Sequence, residues 1–261
     1  MRRLNCTFLF VLAVLFHGLF TVNVYAADEK PVETQTDVQQ DNWEFILEIY
    51  FWMAEIDATT AGGQDLEFDF DTIMENLDLT LMAAIGTRKD KWNFLIDVLY
   101  LDISESSDSN INPVLQLTDR GLEGWGVNPV VAYEIMGGEK GSLQLLAGAR
   151  YLGIDVDLEF ETLPPLGPKK IKDSGSVDVW DGIVGVRGYL NLKGRWFVPY
   201  RLDIGTGDSD FTWHAFTGIG YQFDTFKLLA VYRHMDWDFD DDAVLDDLQV
   251  SGLVVGAIFA F

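Results

Sequence analysis

The stretch from Leu248 to Phe261, LQVSGLVVGAIFAF, constrains this chain more than any other. Leu253, Val255, Ala257 and Phe259 share one parity with the terminal Phe261, and all are apolar. The other parity, with Gly252, Val254, Gly256, Ile258 and Ala260, is smaller and glycine-rich. A period of two is that of a β-strand with two different faces. A strand this apolar, ending on an aromatic residue, is hazardous at an open sheet edge. Pairing of the last strand with the first, which closes a barrel, removes that edge.

The other end of the sequence fits export. Met1-Arg2-Arg3 precedes an apolar run from Leu4 to Phe20, and Val24-Tyr25-Ala26 offers a small-residue cleavage site, so residues 1–26 read as a secretory signal peptide. Cys6 is the sole cysteine and lies inside that segment, so the mature chain has no thiol for a disulfide, a metal site or a nucleophile. Cleavage also removes Arg2 and Arg3 but no acid, leaving a chain more negative than the −24 of the whole sequence. Such a surface excludes nucleic acid as a partner, because phosphate backbones are bound by basic patches. Residues 27–42 are polar, acidic and aperiodic, and read as a flexible periplasmic lead-in. Residues 43–261 form the barrel. Hydrophobic residues are 48% and aromatics 13% of the chain, yet past the signal no run is long enough for a membrane helix. Short alternating strands reconcile the two facts.

Alternation predicts ten strands: Trp43–Ile56, Leu77–Arg88, Trp92–Ile103, Gln116–Met136, Ser142–Leu158, Asp178–Leu192, Arg195–Thr206, Phe211–Phe223, Phe226–Trp237 and Leu248–Phe261. Tight turns at 89–91, 137–141, 193–194 and 224–225 alternate with longer loops at 57–76, 104–115, 159–177 and 238–247 and a short one at 207–210. The segment with Gly121, Gly124, Gly126 and Pro129 is the least regular, and its failure as a strand would leave an eight-stranded barrel. The expected fold is therefore all-β: a closed antiparallel transmembrane barrel of ten strands, or eight, with short periplasmic turns and longer acidic extracellular loops.

Parity assigns two faces. Rows such as Trp43, Phe45, Leu47, Ile49, Phe51 and Trp92, Phe94, Ile96, Val98, Tyr100 point outward. Trp43, Trp92, Trp125, Trp180, Trp196 and Trp213 fall near strand ends and form an expected aromatic girdle at the headgroup level. Trp52 and Trp237 have inward parity, so bulges or a position on the rim are expected for them. The inward rows carry Glu44, Glu48, Asp78, Asp97, Glu134, Arg150, Asp181, Arg187, Arg201, Asp203 and Arg233. Acids lie mostly on one wall and arginines on the other, which predicts a salt-bridged lumen.

Other chemistry is sparse. His214 and His234 are the histidines beyond the signal, and His234-Met235-Asp236 could set an imidazole beside a carboxylate at the rim, a candidate catalytic pair. Omptin proteases place an Asp-x-His site at the rim of a ten-stranded barrel, and lipid A deacylase barrels a His and a Ser at alternate positions; neither order occurs here. Seven aspartates between Asp236 and Asp247 make Asp238, Asp240 and Asp242 candidate cation ligands, although no EF-hand pattern is present. No cofactor is expected.

The terminal strand, with segments such as Asp181-Gly182-Ile183-Val184-Gly185-Val186-Arg187-Gly188-Tyr189 and Trp196-Phe197-Val198-Pro199-Tyr200-Arg201, resembles the small outer-membrane β-barrels of Gram-negative bacteria. The resemblance spans roughly 43–261 and implies that Phe261 is an assembly signal read by the barrel-assembly machinery. It implies a location in the outer membrane, contact with lipid and lipopolysaccharide, and divalent cations at acidic loops. The expected function is non-enzymatic: a structural or surface role in membrane integrity or adhesion. A narrow pore or small-ligand channel is the alternative, and a rim hydrolase acting on peptides or lipopolysaccharide comes next.

Overall fold

The outermost strands meet. The structure, a computed structural model, describes residues 43–60, 63, 65–112, 115–162, 169–239 and 245–261. The signal peptide and the lead-in expected at 1–26 and 27–42 lie outside the described residues. The elements are β1 (Glu44–Thr60), β2 (Asp65–Phe68), α1 (Phe70–Asn76), β3 (Leu77–Lys89), β4 (Trp92–Asn112), β5 (Leu115–Gly138), β6 (Gly141–Thr162), β7 (Lys170–Asn191), β8 (Trp196–Gly207), β9 (Phe211–Gln222), β10 (Phe226–Asp238) and β11 (Leu245–Ala260). Each long strand pairs antiparallel with the next, and β11 returns to β1 in continuous register from Ile46–Ala260 to Thr59–Asp247. Phe45 and Phe261 exchange both backbone hydrogen bonds beyond the end of that ladder, at 2.8 and 3.0 Å. Ten strands close the barrel; β2 is an extra, short strand against the far end of β1.

Turn chemistry fixes one end. Lys89 pairs with Trp92 around Asp90-Lys91, where Asp90 adopts the left-handed conformation (φ 52°) that aspartate tolerates. Phe223 donates to the Phe226 carbonyl at 2.8 Å around Asp224-Thr225, and Arg195 of the neighbouring turn pairs with Asp224 at 2.7 Å. At the opposite end the strands run further than the periodicity predicts. β4 and β5 are joined through 113–114, and β6 and β7 through 163–169, so most of the loops expected at 104–115 and 159–177 are paired strand. On β7 the described residues Lys170, Ile171, Lys172 and Ser174 are all exposed, so the alternation that marks a strand in lipid is lost there. The Glu159 carboxylate there sits between Lys170 and Lys172 (3.0 Å to the latter), and their hydrogen bonds hold it below the usual carboxylate range. The glycine-rich segment is a full strand: Pro129 falls where the β5–β6 ladder skips from Val127 to Val130, so its missing N–H interrupts nothing.

The expected loop at 57–76 contains β2 and α1. Asp69 caps α1, accepting the Thr72 N–H at 2.7 Å. Those hydrogen bonds from Thr72 lower the Asp69 carboxyl from its ordinary value. A lowered folded-state value means that the cap is intact above the unfolded aspartate value of about 3.9 and is lost as pH falls through the lower one. Protection of the Thr72 amide, followed by hydrogen exchange in detergent-solubilised protein, should persist at pH 5 and vanish on acidification below that value. Close packing is tested elsewhere. Gly220 lies directly under the ring of Phe197, and a Cβ there would run into it. Gly220→Val is expected to cost about 1–3 kcal/mol through overpacking, read as a lower midpoint in urea.

Candidate functional site

Lipid and lumen divide the side chains by parity. Exposed apolar residues fill the outer face, including Phe45, Ile49, Leu81, Ile85, Phe94, Ile96, Leu202, Ile204, Leu253 and Val255. Two aromatic belts bound them. At the turn end, contacts run Phe45–Phe261 (6.4 Å), Phe226–Phe259 (5.8 Å), Phe223–Phe226 (4.6 Å), Trp196–Tyr221 (4.9 Å) and Trp92–Tyr133 (4.8 Å), with Trp43 against Phe94 (6.5 Å). Near the loop end lie Tyr100–Trp125 (4.4 Å), Tyr151–Trp180 (5.0 Å) and Trp213 stacked on His234 (4.4 Å). An apolar band between aromatic belts, wrapped around buried charge, is the signature of a barrel that crosses a bilayer with strands. The fold is a closed antiparallel β-barrel of ten strands.

No family model matches the sequence, and no curated protein matches it. Solved structures do resemble it. The outer-membrane protease OmpT of Escherichia coli shares 9% identity at a TM-score of 0.46, the match covering 84% of this chain and 96% of that one. The translocator domain of the autotransporter NalP from Neisseria meningitidis shares 12% at 0.44, covering 86% and 90%. Ail, the attachment invasion locus protein of Yersinia pestis, shares 12% at 0.34, covering 85% and 100%. Among the described residues no helix is long and apolar enough to cross a membrane.

The barrel interior has three tiers. At the turn end is a polar vestibule of about 430 Å³, lined by Glu44, Glu48, Arg88, Arg187, Arg201 and Lys227 among others. Glu44 pairs with Arg88 near its mouth. Glu134 lies at the edge of this tier, its carboxylate against the Gly137 backbone.

Above the vestibule is an ionic tier with two centres. Asp203 is one: it receives Arg150 Nη2 on one oxygen and Arg201 Nε on the other at 2.6 Å, and His214 Nδ1 approaches at 3.3 Å. Arg150 is fully buried and also donates to Asn128 (3.1 Å) and Thr212 (2.8 Å). Thr212 in turn donates to the Asp236 carbonyl at 2.7 Å. The second centre is Asp97, which accepts from Arg233 Nη2 at 2.8 Å and from the Tyr50 hydroxyl at 2.5 Å. The Asp97–Arg233 pair spans β4 and β10, across the lumen, whereas Arg201 and Asp203 are neighbours on β8. Two compact clusters therefore replace the single wall-to-wall pairing that the sequence suggests.

The tier toward the loop end is apolar. Trp52, Met82, Leu101, Ile103, Leu152, Ile154, Val179, Val231, Met235, Trp237 and Leu248 belong to one buried cluster inside the barrel. Trp52 and Trp237 are neither displaced by bulges nor set on the rim. They point inward at 2% and 3% exposure and rest on the ionic tier, Arg233 lying 4.7 Å from the Trp52 ring and Arg150 5.7 Å from that of Trp237. The sequence carried this signal in their inward parity.

Other sequence candidates are dispersed. The Asp181 carboxylate accepts from the Ser209 N–H (3.0 Å) and hydroxyl (2.8 Å), tying β7 to the short 208–210 turn rather than pairing with an arginine. The Asp78 side chain lies outside the described residues; the β3–β4 register shifts across this position. His234 stacks on Trp213 on the outer face, 3.7 Å from the Asp236 carboxylate, which is too far for a hydrogen bond. His214 is 1% exposed, among arginines. The structure thus keeps the two histidines apart, one in lipid-facing packing and one in the ionic tier. Asp238 is exposed, Asp240 and Asp242 lie outside the described residues, and among the described residues no three potential ligands gather around a common point.

Asp203 holds two buried guanidinium groups, so Asp203→Ala leaves both without a counter-charge. A loss of about 3–5 kcal/mol is expected, measured by urea unfolding of the folded barrel in detergent, with Asp203→Asn retaining part of it.

Proposed function

We propose that the protein is a closed, non-conducting barrel of the outer membrane whose role is structural and exerted at the cell surface, in membrane integrity or adhesion. The observation that supports this reading is the stacking of two unlike layers across one lumen. Water and ions crossing from the vestibule would have to pass the Arg150–Asp203–Arg201 and Asp97–Arg233–Tyr50 clusters and then the apolar tier above them. An ion leaving a charged layer for an apolar one faces a desolvation cost that neither layer offsets.

The surface role is favoured by the strands beyond the outer aromatic belt. On β5 about ten residues precede Trp125, and on β6 about ten follow Tyr151, which at ~3.3 Å per residue projects paired sheet on the order of 30 Å along the strands. Such extensions present a built surface to lipopolysaccharide or to another cell, with divalent cations bridging their acids. Phe261, exposed and stacked on Phe45 at the periplasmic rim, suits recognition by the barrel-assembly machinery. The sequestered His214 and the lipid-facing His234 favour a non-enzymatic role.

Planar-bilayer recording of the purified barrel tests the reading. The wild-type protein is expected to give no steady conductance, while Trp52→Ala combined with Trp237→Ala opens the apolar tier and gives measurable current. A stable open conductance of the wild type would sink the proposal.

A further inference from the structure

The barrel wall has one discontinuity. β1 pairs with β3 from Glu44–Arg88 only as far as Ile49–Ala83, although both strands continue. β1 regains a partner on that side at Ile56, where β2 begins to pair. Between them, over Tyr50–Glu55, no strand partner among the described residues faces β1 on its β3 side, whereas the β11 side is fully paired. The Trp52 N–H there donates to the Met82 sulfur at 3.1 Å, a weak acceptor in place of a carbonyl. Backbone left unpaired against hydrocarbon is costly, and closed barrels ordinarily avoid it.

An apolar pocket of about 100 Å³ lies behind the gap. Its lining belongs to both sides of the wall: Trp52, Ala54 and Leu152 face the lumen, while Phe51 and Trp125 belong to the outer face. α1 flanks the mouth, with Phe70 edge-on to Phe51 at 6.2 Å and Met74 exposed. The mouth stands at the outer aromatic belt, since Leu81 pairs with Tyr100 and Tyr100 with Trp125. Thr80 is the sole hydroxyl among the described lining residues, and it already donates to the Tyr100 carbonyl at 3.0 Å.

We propose that this pocket is a binding site for an alkyl chain, which enters sideways from the bilayer between β1 and β3. Three observations support that chemistry. Among the described lining residues no side chain carries a charge or a carboxamide, and the Thr80 hydroxyl is already bonded, so the walls suit a hydrocarbon better than a polar ligand. Lumen-facing residues of β1 line it from Trp52 to Ala58, six residues and so roughly 20 Å along the strand, an elongated slot suited to a chain rather than a compact ring. The opening faces lipid, so the chain need not cross water. The Trp52 indole N–H, buried and without a hydrogen-bond partner, marks the inner end, where the slot meets the Arg233 layer. The chain has two available sources: the acyl tail of a membrane lipid, or a free fatty acid dissolved in the bilayer.

Brominated chains quench indole fluorescence on close approach, and the difference between wild type and Trp52→Phe isolates the Trp52 signal from that of the lipid-facing tryptophans. The full barrel would be reconstituted in vesicles of dibrominated phosphatidylcholine, and separately in unbrominated vesicles titrated with dibromostearate. Quenching of the Trp52 component is expected, and Ala54→Phe, which fills the slot, should abolish it while the barrel retains its heat-modifiable migration. Quenching by the brominated bilayer without saturation by dibromostearate identifies a lipid tail as the occupant. Saturable quenching by dibromostearate identifies a free acid. A Trp52 signal unaffected by either probe overturns the proposal. If Ala54→Phe fails to fold, the comparison of wild type with Trp52→Phe still decides it.

Discussion

The demand that hydrocarbon places on a backbone governs this molecule. Lipid offers no hydrogen bonds, so every strand needs a partner on both sides and the sheet must close. The β1–β11 seam satisfies that demand along the whole of its length, down to the two hydrogen bonds between Phe45 and Phe261. The seam on the other flank of β1 satisfies it only in its periplasmic half. Strand pairing is thus complete on one side of β1 and interrupted on the other, and the interruption coincides with the apolar pocket and with α1. Coincidence of a weak seam, an apolar slot and a covering helix on one strand is what distinguishes this barrel from a uniform cylinder.

The interior follows from the same inversion. With apolar rows committed to lipid, polar residues are left to fill the lumen, and in a ten-stranded barrel they are forced together. Burial without partners would be costly, so Asp203 and Asp97 each gather cations and hydroxyls around them. The guanidinium faces of Arg150 and Arg233 then become the floor on which Trp237 and Trp52 rest. Arginine is suited to this position because its edge binds carboxylate while its flat face accepts an aromatic ring. A lysine at either place would hold the carboxylate and lose the floor. The apolar tier and the ionic tier are therefore one mechanical unit, joined where the arginine faces meet the indole rings.

How much of this was legible in the sequence differs by residue. Period-two alternation with aromatic ends announced the barrel, because a lipid face and a lumen face differ in chemistry at every strand. The inward position of Arg150, Arg201, Asp203 and Arg233 could be counted from parity. Their grouping could not, since partners such as Asp97 and Arg233 lie 136 positions apart and meet only when the sheet has curled. The extensions of β4 to β7 beyond the outer aromatic belt were hidden for the opposite reason: pairing persists there but alternation does not.

Trp52 and Trp237 mark the boundary most clearly. Their parity pointed inward, yet an apolar layer inside a barrel already rich in lumen charge has no signature in a single strand. It emerges from separate strands, each contributing between one and four inward residues. The sequence by itself determined the class of fold, the two faces and the closure, because these are repeated locally along every strand. Only the tertiary structure decided the layering of the lumen and the break between β1 and β3, because both depend on strand stagger, which no strand encodes alone.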